Sequence, residues 1–483
     1  ARPQGKPDWQ QLAKLKFNGL GPQAPRTRWN FSPWADFRSY MDTSLASVLA
    51  DLRQAARELD PETPVGIEGT QMPHAFGGYD LYKLARAVDW VEPYDIGHAR
   101  EIFGSFMPAA PLMTTVFEQE TQPARRRLWH LLLEGDKGCI IWWSEDCLDW
   151  KSPGLPLTAK GKALAPVLKE LTSPLAQRFL QAERVRDPVF IHYSQPSIQI
   201  DWLLESTVDG SSWLRRFSSY ESGHNHMARV RNGWVKVLQD LGFSPQFVSS
   251  EQIEQGALQT NQAAVLVLPG SLGLSGREAR EIQALHERGG VVFSDGVPGW
   301  FDEHGKLQER LALEDLFPAR TWGATNATTV FAVSKGKQPA MRVGDMAQYA
   351  AERMQLEPNL AWLDWVAKQL GDRRPEVVVP PTTRTRVHRL RFSEGQLLAF
   401  ERNINYHMSE DLKQAGGNEA LEKPVQFEAK LGARKHVYDL RALRYLGRTD
   451  RIQINLSGWT PALFGATDRE VPMETFTALP TGK

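Results

Sequence analysis

Four glutamates in the first third of the chain each follow a short apolar segment, at the point where a predicted strand ends: Glu68, Glu92, Glu118 and Glu145. Trp142 and Trp143 come just before the last of them, and Tyr94 comes just after the second. Carboxylates can act on a glycosidic bond, and flat aromatic faces can stack on a sugar ring. These residue types therefore indicate sugar chemistry. A glutamate after a strand is usually a solvated loop residue, and this alternative stays open.

The segment 111–150 would position two of these glutamates. Residues 112–117 and 138–143 are apolar runs of strand length, and residues 124–134 carry leucines at helical spacing. Gly135 follows the helix, as a glycine at a helix C-terminus often does. Two buried strands joined by a helix form a parallel unit, in which active residues lie at the carboxyl ends of the strands.

The same alternation is predicted upstream. We expect helices at 34–59, 80–87 and 99–106, strands at 64–67 and 88–91, and a last helix at 159–182. Four strands that each end in an acidic residue are expected at the active face of a (β/α) barrel. A whole barrel takes about 250 residues. The four units therefore predict the C-terminal half of a (β/α)8 barrel, and we expect the first half to lie upstream of residue 1.

The rest of the chain predicts two further domains. Strands at 189–194, 244–248, 263–270 and 291–296, with helices at 223–241 and 276–288, favour an open doubly wound sheet. A helix is predicted at 346–370, and from residue 376 the apolar pattern has the period of two of an antiparallel β-sandwich. We expect a catalytic barrel portion at 1–183, a flavodoxin-like domain at 187–375, and a small β-sandwich at 376–483, with 184–188 as a linker.

Composition excludes several classes of function. Lys plus Arg and Asp plus Glu both number 57, which argues against a nucleic-acid partner and a strongly anionic substrate. Cys139 and Cys147 form no metal-ligand spacing, so no metal site is expected. No apolar run reaches the length of a membrane span. The second domain lacks phosphate-binding glycine motifs and cysteine, which disfavours a nucleotide-dependent enzyme or a Cys-dependent amidotransferase; no cofactor is expected.

The order of half barrel, flavodoxin-like domain and β-sandwich, with VFEQE at 116–120, resembles glycoside hydrolase family 42, the trimeric β-galactosidases. VDWVEPYD at 88–95 and GCIIWWSED at 138–146 are similar to that family's neighbouring barrel strands, and 263–296 to its trimerisation domain. The resemblance implies that Glu118 is the nucleophile and that Tyr94 donates a hydrogen bond to it. It also implies a sugar subsite lined by Trp142 and Trp143, with sugar hydroxyls bound by Glu68, Glu92 and Glu145.

The chain departs from this family at the acid/base. The family carries it in an Asn-Glu pair at the end of the fourth barrel strand, and no such pair precedes Glu118. Asn418-Glu419 falls in the predicted sandwich and cannot serve, and GIEGT at 66–70 replaces the usual Thr-Asn. We therefore expect the acid/base to lie upstream of residue 1.

The resemblance implies a retaining exo-glycosidase that hydrolyses terminal β-D-galactosyl or related residues of oligosaccharides by double displacement. It also implies a homotrimer assembled partly through residues 187–345. The alternative is a catalytically inactive carbohydrate-binding or scaffold protein of the same architecture. An upstream segment that supplies the first four strands and an Asn-Glu pair would discriminate between the two.

Overall fold

The computed structural model describes residues 29–205, 226–259, 264–317, 329–353, 355, 360–404 and 422–478. Their strands form two pairs of parallel strands, a six-stranded sheet and a seven-stranded sheet. The pair Asn418-Glu419 lies outside these residues.

The first region alternates helices and parallel strands, as predicted. Its elements are α1 (Ser32–Leu59), β1 (Gly66–Thr70), α2 (Leu81–Ala87), β2 (Trp90–Pro93), α3 (Ala99–Phe106), β3 (Met113–Val116), α4 (Thr121–Glu134) and β4 (Gly138–Ile141). β1 pairs with β2 and β3 pairs with β4, both in parallel, and a parallel bridge between Val91 and Leu112 joins the two pairs. The four strands therefore lie in sequence order, as in one half of a (β/α) barrel.

Two strand ends differ from the prediction. β1 extends to Thr70, because a register shift between Ile67 and Thr70 accommodates Gly69 at a φ of 69°, and Glu68 therefore lies within the strand. β4 ends at Ile141, because Trp143 adopts a left-handed conformation with a φ of 53°. Glu92 also lies within its strand, β2.

The helix predicted at 159–182 is two helices, α5 (Ala159–Leu171) and α6 (Pro174–Gln181). The break falls where Pro174 has no N–H to continue the helical hydrogen bonds. The Ser173 side chain caps the second helix by accepting a hydrogen bond from the N–H of Ala176, at 3.3 Å. The residues after α6 are not a simple linker, because β5 (Glu183–Val185) pairs with a strand of the seven-stranded sheet.

The six-stranded sheet is mixed. β6 (Val189–Tyr193), β7 (Gln246–Ser249), β8 (Val265–Leu268) and β9 (Val291–Asp295) are parallel, and β10 (Thr329–Ser334) and β11 (Ala340–Val343) are antiparallel additions, in the order β11-β10-β9-β8-β6-β7. Its helices include α7 (Gln195–Glu205), α8 (His226–Asp240), α9 (Ser250–Glu254) and α10 (Gly276–Glu287). The order β7-β6-β8-β9 is that of a doubly wound sheet. The predicted helix 346–370 is instead a 3-10 turn (Met346–Gln348), α11 (Tyr349–Glu352) and α12 (Ala361–Leu370).

The predicted β-sandwich is one curled antiparallel sheet. Its strands are β12 (Val377–Val378), β13 (Thr385–Phe392), β14 (Gly395–Arg402), β15 (Val425–Asp439), β16 (Arg444–Leu456) and β17 (Ala462–Thr467), followed by α13 (Glu474–Thr477). One sheet suffices because helices cover part of it: Leu397 and Leu463 pack in one apolar cluster with Trp129 of α4 and Phe179 of α6. β15 and β16 form a hairpin that closes at the pair Asp439 and Arg444.

Buried contacts join the three regions. One apolar core contains Phe103 of α3, Ile191 of β6 and Trp234 of α8. A separate ionic cluster places the Glu401 carboxylate of β14 at 2.8 Å from His130 Nδ1, 2.8 Å from His388 Nε2 and 3.1 Å from Arg386 Nη1. Glu134, at the end of α4, lies 3.7 Å from the same Arg386 guanidinium.

Candidate active site

Glu118 lies one residue beyond Phe117, which follows the end of β3. Its side chain is partly exposed, and Oε2 accepts a hydrogen bond from the N–H of Phe117, at 3.1 Å. No other hydrogen bond to this carboxylate exists among the described residues. A carboxylate held by one local donor and open to solvent can reach a ligand above the strand ends.

The Trp pair stands beside this glutamate. The N–H of Trp142 donates to the carbonyl of Val116, at 3.0 Å, and the Trp142 ring centroid lies 5.5 Å from that of Phe117. Trp143 meets Trp142 edge to face, with ring centroids 5.3 Å apart, and the two residues are 40% and 55% exposed. The structure therefore brings two accessible indole rings to the end of the strand that precedes Glu118.

Glu92 is held differently, because it is only 4% exposed. Its carboxylate accepts hydrogen bonds from the N–H of Gly69 on β1 and from the hydroxyl of Thr115 on β3. Burial raises the pKa of Glu92, while the two hydrogen bonds favour the ionised form. Both oxygens are thus occupied by protein donors, an arrangement that ties three neighbouring strands together. The predicted contact between Glu92 and a sugar stays a prediction.

Tyr94 and Glu68 lie on the same side as Glu92. The N–H of Tyr94 donates to the carbonyl of Thr70, at 2.8 Å. The Tyr94 hydroxyl lies close to Gly69, 3.7 Å from the position that a Cβ atom would take on that residue. Burial, and then the nearby Glu92, raise the pKa of Tyr94. Within the described ranges, Tyr94 makes no hydrogen bond to Glu118, so the predicted contact is absent there. Glu68 is exposed.

Glu145 is exposed on the 3-10 turn that follows the Trp pair, Ser144–Cys147. Its carbonyl accepts a hydrogen bond from the indole N–H of Trp150, at 2.7 Å. Lys160 donates to the carbonyls of Trp142 and Trp143, at 2.6 and 2.9 Å. Sequence reasoning missed Thr115, Trp150 and Lys160. Only the tryptophan has a residue type that could have been singled out beforehand.

The predicted residues therefore fall into two groups. Glu118, Trp142 and Trp143 meet at the ends of β3 and β4, with Glu145 next in the chain. Glu68, Glu92 and Tyr94 gather at β1 and β2. The described residues contain no cluster of three His, Cys, Asp or Glu side chains suited to a metal ion. Nor does any helix in the described ranges have the length and apolar character needed to cross a membrane.

Solved structures share this fold. Gan42B, a family 42 β-galactosidase from G. stearothermophilus, matches with a TM-score of 0.59 and 12% identity, over 91% of this chain and 68% of its own. An apo family 42 exo-carrageenase from Bacteroides ovatus matches with a TM-score of 0.54 and 12% identity, over 90% and 56%. An α-L-fucosidase isoenzyme from Paenibacillus thiaminolyticus matches with a TM-score of 0.56 and 13% identity, over 88% and 71%.

No protein-family model and no curated protein sequence matches the chain. The resemblance to family 42 is therefore confirmed as a likeness of fold. The chain spans about two thirds of the β-galactosidase and little more than half of the exo-carrageenase.

Proposed function

We propose that the chain carries the C-terminal half of the catalytic barrel of a retaining exo-glycosidase, which hydrolyses terminal β-D-galactosyl residues of oligosaccharides. Glu118 is the nucleophile. The observation that carries this proposal is the partly exposed Glu118 carboxylate beside the accessible rings of Trp142 and Trp143. The shared fold with a family 42 β-galactosidase supports it.

The mechanism is a double displacement. Glu118 attacks the anomeric carbon as the glycosidic bond breaks, and the leaving oxygen takes a proton from the acid/base. Water then attacks the covalent glycosyl-enzyme, gives a proton to the same acid/base and releases Glu118 as a carboxylate. Trp142 and Trp143 stack on the sugar and exclude water from one side of the ring. Glu145 and Glu68, whose side chains are exposed, bind sugar hydroxyls, and Tyr94 lies near both Glu92 and Glu68.

The acid/base of a retaining glycosidase is a second carboxyl group, which lies about 5–5.5 Å from the nucleophile. Glu92 has the raised pKa that an acid requires, but its two oxygens already accept hydrogen bonds from Gly69 and Thr115. We therefore assign Glu92 to positioning the strands, and place the acid/base on a polypeptide segment upstream of residue 1.

Turnover of aryl β-galactosides and aryl β-glucosides tests the assignment of Glu118. In protein that includes the acid/base segment, Glu118→Gln should reduce turnover by several orders of magnitude with folding intact. Glu120→Gln is a matched control, because it removes an exposed carboxylate two residues away that makes no capping hydrogen bond. A tenfold loss of turnover corresponds to an increase of about 1.4 kcal/mol in the activation free energy. If Glu118→Gln loses less than this and so keeps more than about a tenth of the activity, Glu118 is excluded as the nucleophile.

A second candidate is a carbohydrate-binding or scaffold protein without catalysis. The engagement of both Glu92 oxygens by protein donors favours it, because Glu92 is then held as a structural group and is not available as a reacting carboxylate. This candidate predicts that sugars bind and that no turnover depends on Glu118, even when the upstream segment is present.

We also propose a homotrimer assembled partly through residues 187–345. β11 supports the trimer, because it is an edge strand of the six-stranded sheet and its side chains Met341 and Val343 are 60% and 81% exposed. An edge strand with exposed apolar side chains invites contact with another chain.

A further inference from the structure

The segment between β4 and α5, residues 142–158, exposes three indole rings within nine residues. Trp142 and Trp143 belong to the site described above, but Trp150 does not, and it is the most exposed of the three at 63%. Apolar rings in water are unfavourable, and a group of them marks a surface that something covers. The structure gives two reasons to regard Trp150 as part of a built surface.

The first reason is that the Trp150 ring is held in place. Its indole N–H donates to the carbonyl of Glu145, in the turn that begins directly after Trp143. The segment is closed on itself by an antiparallel bridge between Leu148 and Leu157, and Asp149 accepts hydrogen bonds from the backbone of Lys151 and the hydroxyl of Ser152. The indole therefore stands out from an ordered turn, with its polar atom already satisfied and its ring face left for a ligand.

The second reason is backbone strain. Trp143 has a φ of 53° and Leu155 a φ of 47°, a region that costs a bulky L-residue about 1–2 kcal/mol. Lys160 offsets part of this cost by donating to the carbonyls of Trp142 and Trp143. Strain of this kind persists where the surrounding structure imposes it, and such positions cluster at ligand sites.

The charges of the segment select among ligands. Residues 142–158 hold three acids, Glu145, Asp146 and Asp149, and one base, Lys151. An anionic membrane surface would require basic residues here. The cores of protein interfaces are depleted in Asp and Glu. Aromatic rings among carboxylates instead suit an uncharged polyhydroxylated chain, whose ring faces stack on indole and whose hydroxyls donate to carboxylate oxygens.

We propose that Trp150 is an outer stacking site for a neutral oligosaccharide, and that it binds a sugar ring beyond the one held at Trp142 and Trp143. The inference rests on the proposed function, because it takes the Trp pair as the inner subsite. Since the indole N–H is bonded to Glu145, Trp150 offers only its ring face. The affinity should therefore depend on the length of the oligosaccharide more than on which sugar occupies the outer position.

Calorimetric binding to the Glu118→Gln protein tests this without interference from turnover. The probes are galactose, a neutral β-1,4-linked galactotetraose and the same tetrasaccharide carrying sulfate groups. Trp150→Ala should weaken tetraose binding about tenfold and change galactose binding less than twofold. Trp150→Phe should restore most of the lost affinity, because it keeps a flat ring. Leu168→Ala, which shortens an exposed apolar side chain on α5 outside this segment, should have no effect. The sulfated chain should bind more weakly than the neutral one.

Four outcomes overturn the inference: no binding of the tetraose to the parent protein, an equal affinity loss for galactose and tetraose, no loss with Trp150→Ala, or equal binding of the sulfated chain. Near-ultraviolet circular dichroism of Trp150→Ala shows whether the turn is intact. The failure of the proposed function is a separate result. If turnover does not depend on Glu118 but tetraose binding still depends on Trp150, the hydrolase assignment falls and the stacking site stands.

Discussion

The hydroxyl of Thr115 donates a hydrogen bond to the carboxylate of Glu92, so that the strand leading to Glu118 is joined to the strand leading to Tyr94. The other oxygen of the same carboxylate accepts from the N–H of Gly69 on β1. A single buried side chain thus holds three of the four parallel strands in register close to their carboxyl ends. The spacing between the two groups of candidate site residues depends on it.

Thr115→Val should therefore destabilise the protein. Valine keeps the shape of threonine but removes the donor, and a buried acceptor left without its partner costs about 1–3 kcal/mol. Loss of this hydrogen bond should also raise the pKa of Glu92 further, because the bond favours the ionised form. Chemical denaturation measures the first effect. Thr172→Val is the control, because the exposed hydroxyl of Thr172 donates to the carbonyl of Lys169 and water can replace this hydrogen bond. Equal losses of unfolding free energy in the two variants would contradict the role of Thr115.

The ionic cluster at Glu401 should be the most sensitive contact between the antiparallel sheet and α4. Glu401→Gln removes the charge that faces Arg386, at 3.1 Å, and His130, at 2.8 Å. Breaking a buried ion pair costs about 3–5 kcal/mol. We expect about 3 kcal/mol, because Arg386 keeps Glu134 at 3.7 Å.

The matched control for Glu401 is Glu428→Gln on β15. Glu428 pairs with Arg451 at 2.7 Å, but on the surface, where such pairs are worth less than about 1 kcal/mol. Denaturation midpoints of the two variants should differ clearly. Similar midpoints would mean that the buried cluster adds nothing beyond a surface pair.

Asp42 should make stability depend on pH. It lies buried on α1 and accepts hydrogen bonds from Gln195 and Gln199 of α7, and burial, followed by the nearby Asp80, raises its pKa to about 7. In the unfolded chain the same carboxyl ionises near pH 3.8. Its contribution to stability is therefore fully present below pH 3.8 and is lost as the pH rises through about 7.

Asp42→Asn should remove that loss. Between pH 5 and pH 8 the parent protein should lose stability on the order of 2 kcal/mol more than this variant. Thermal unfolding at the two pH values measures the difference. Asp51→Asn, on the exposed side of the same helix, should behave like the parent protein. If the parent protein and Asp42→Asn lose the same stability between the two pH values, Asp42 is ionised in the folded state at both.

Much of the fold could be predicted, because local patterns decide it. Apolar runs, helical spacing and breakers such as Gly135, which caps α4 at a φ of 103°, give the alternation of strands and helices. The break at Pro174 was missed because the apolar spacing continues through it. The edge strands β5 and β11 were missed because their pairing depends on distant partners.

The candidate site residues were chosen by residue type, and their roles stay a prediction; their hydrogen bonds could not be predicted at all. Glu118 and the Trp pair follow the carboxyl ends of two adjacent parallel strands, and the pairing of these strands brings them together without help from the rest of the chain. The Glu92–Thr115 hydrogen bond depends on the register of two strands, which no local pattern encodes. Trp150 is one of 16 tryptophans in the sequence, and no local pattern encodes its exposure of 63%, which is the largest among the tryptophans of the described residues.

Assembly through the six-stranded sheet predicts a trimer mass in light scattering of the full-length protein. Val343→Asp should dissociate it, because β11 is an edge strand and this side chain is 81% exposed. Leu443→Asp is the control, since Leu443 is also exposed but lies in the turn between β15 and β16. A monomer mass for the parent protein would remove the proposal.

Covalent trapping tests most directly whether Glu118 is a glycosidase nucleophile. A 2-deoxy-2-fluoro-β-D-galactoside with a dinitrophenolate leaving group needs little general acid, so the test does not depend on where the acid/base lies. We predict that the protein gains one fluorogalactosyl group and that peptide mapping finds it on Glu118, with no label on Glu118→Gln. Labelling of Glu68, Glu92 or Glu145 instead, or no labelling of protein that binds galactose, would contradict the account.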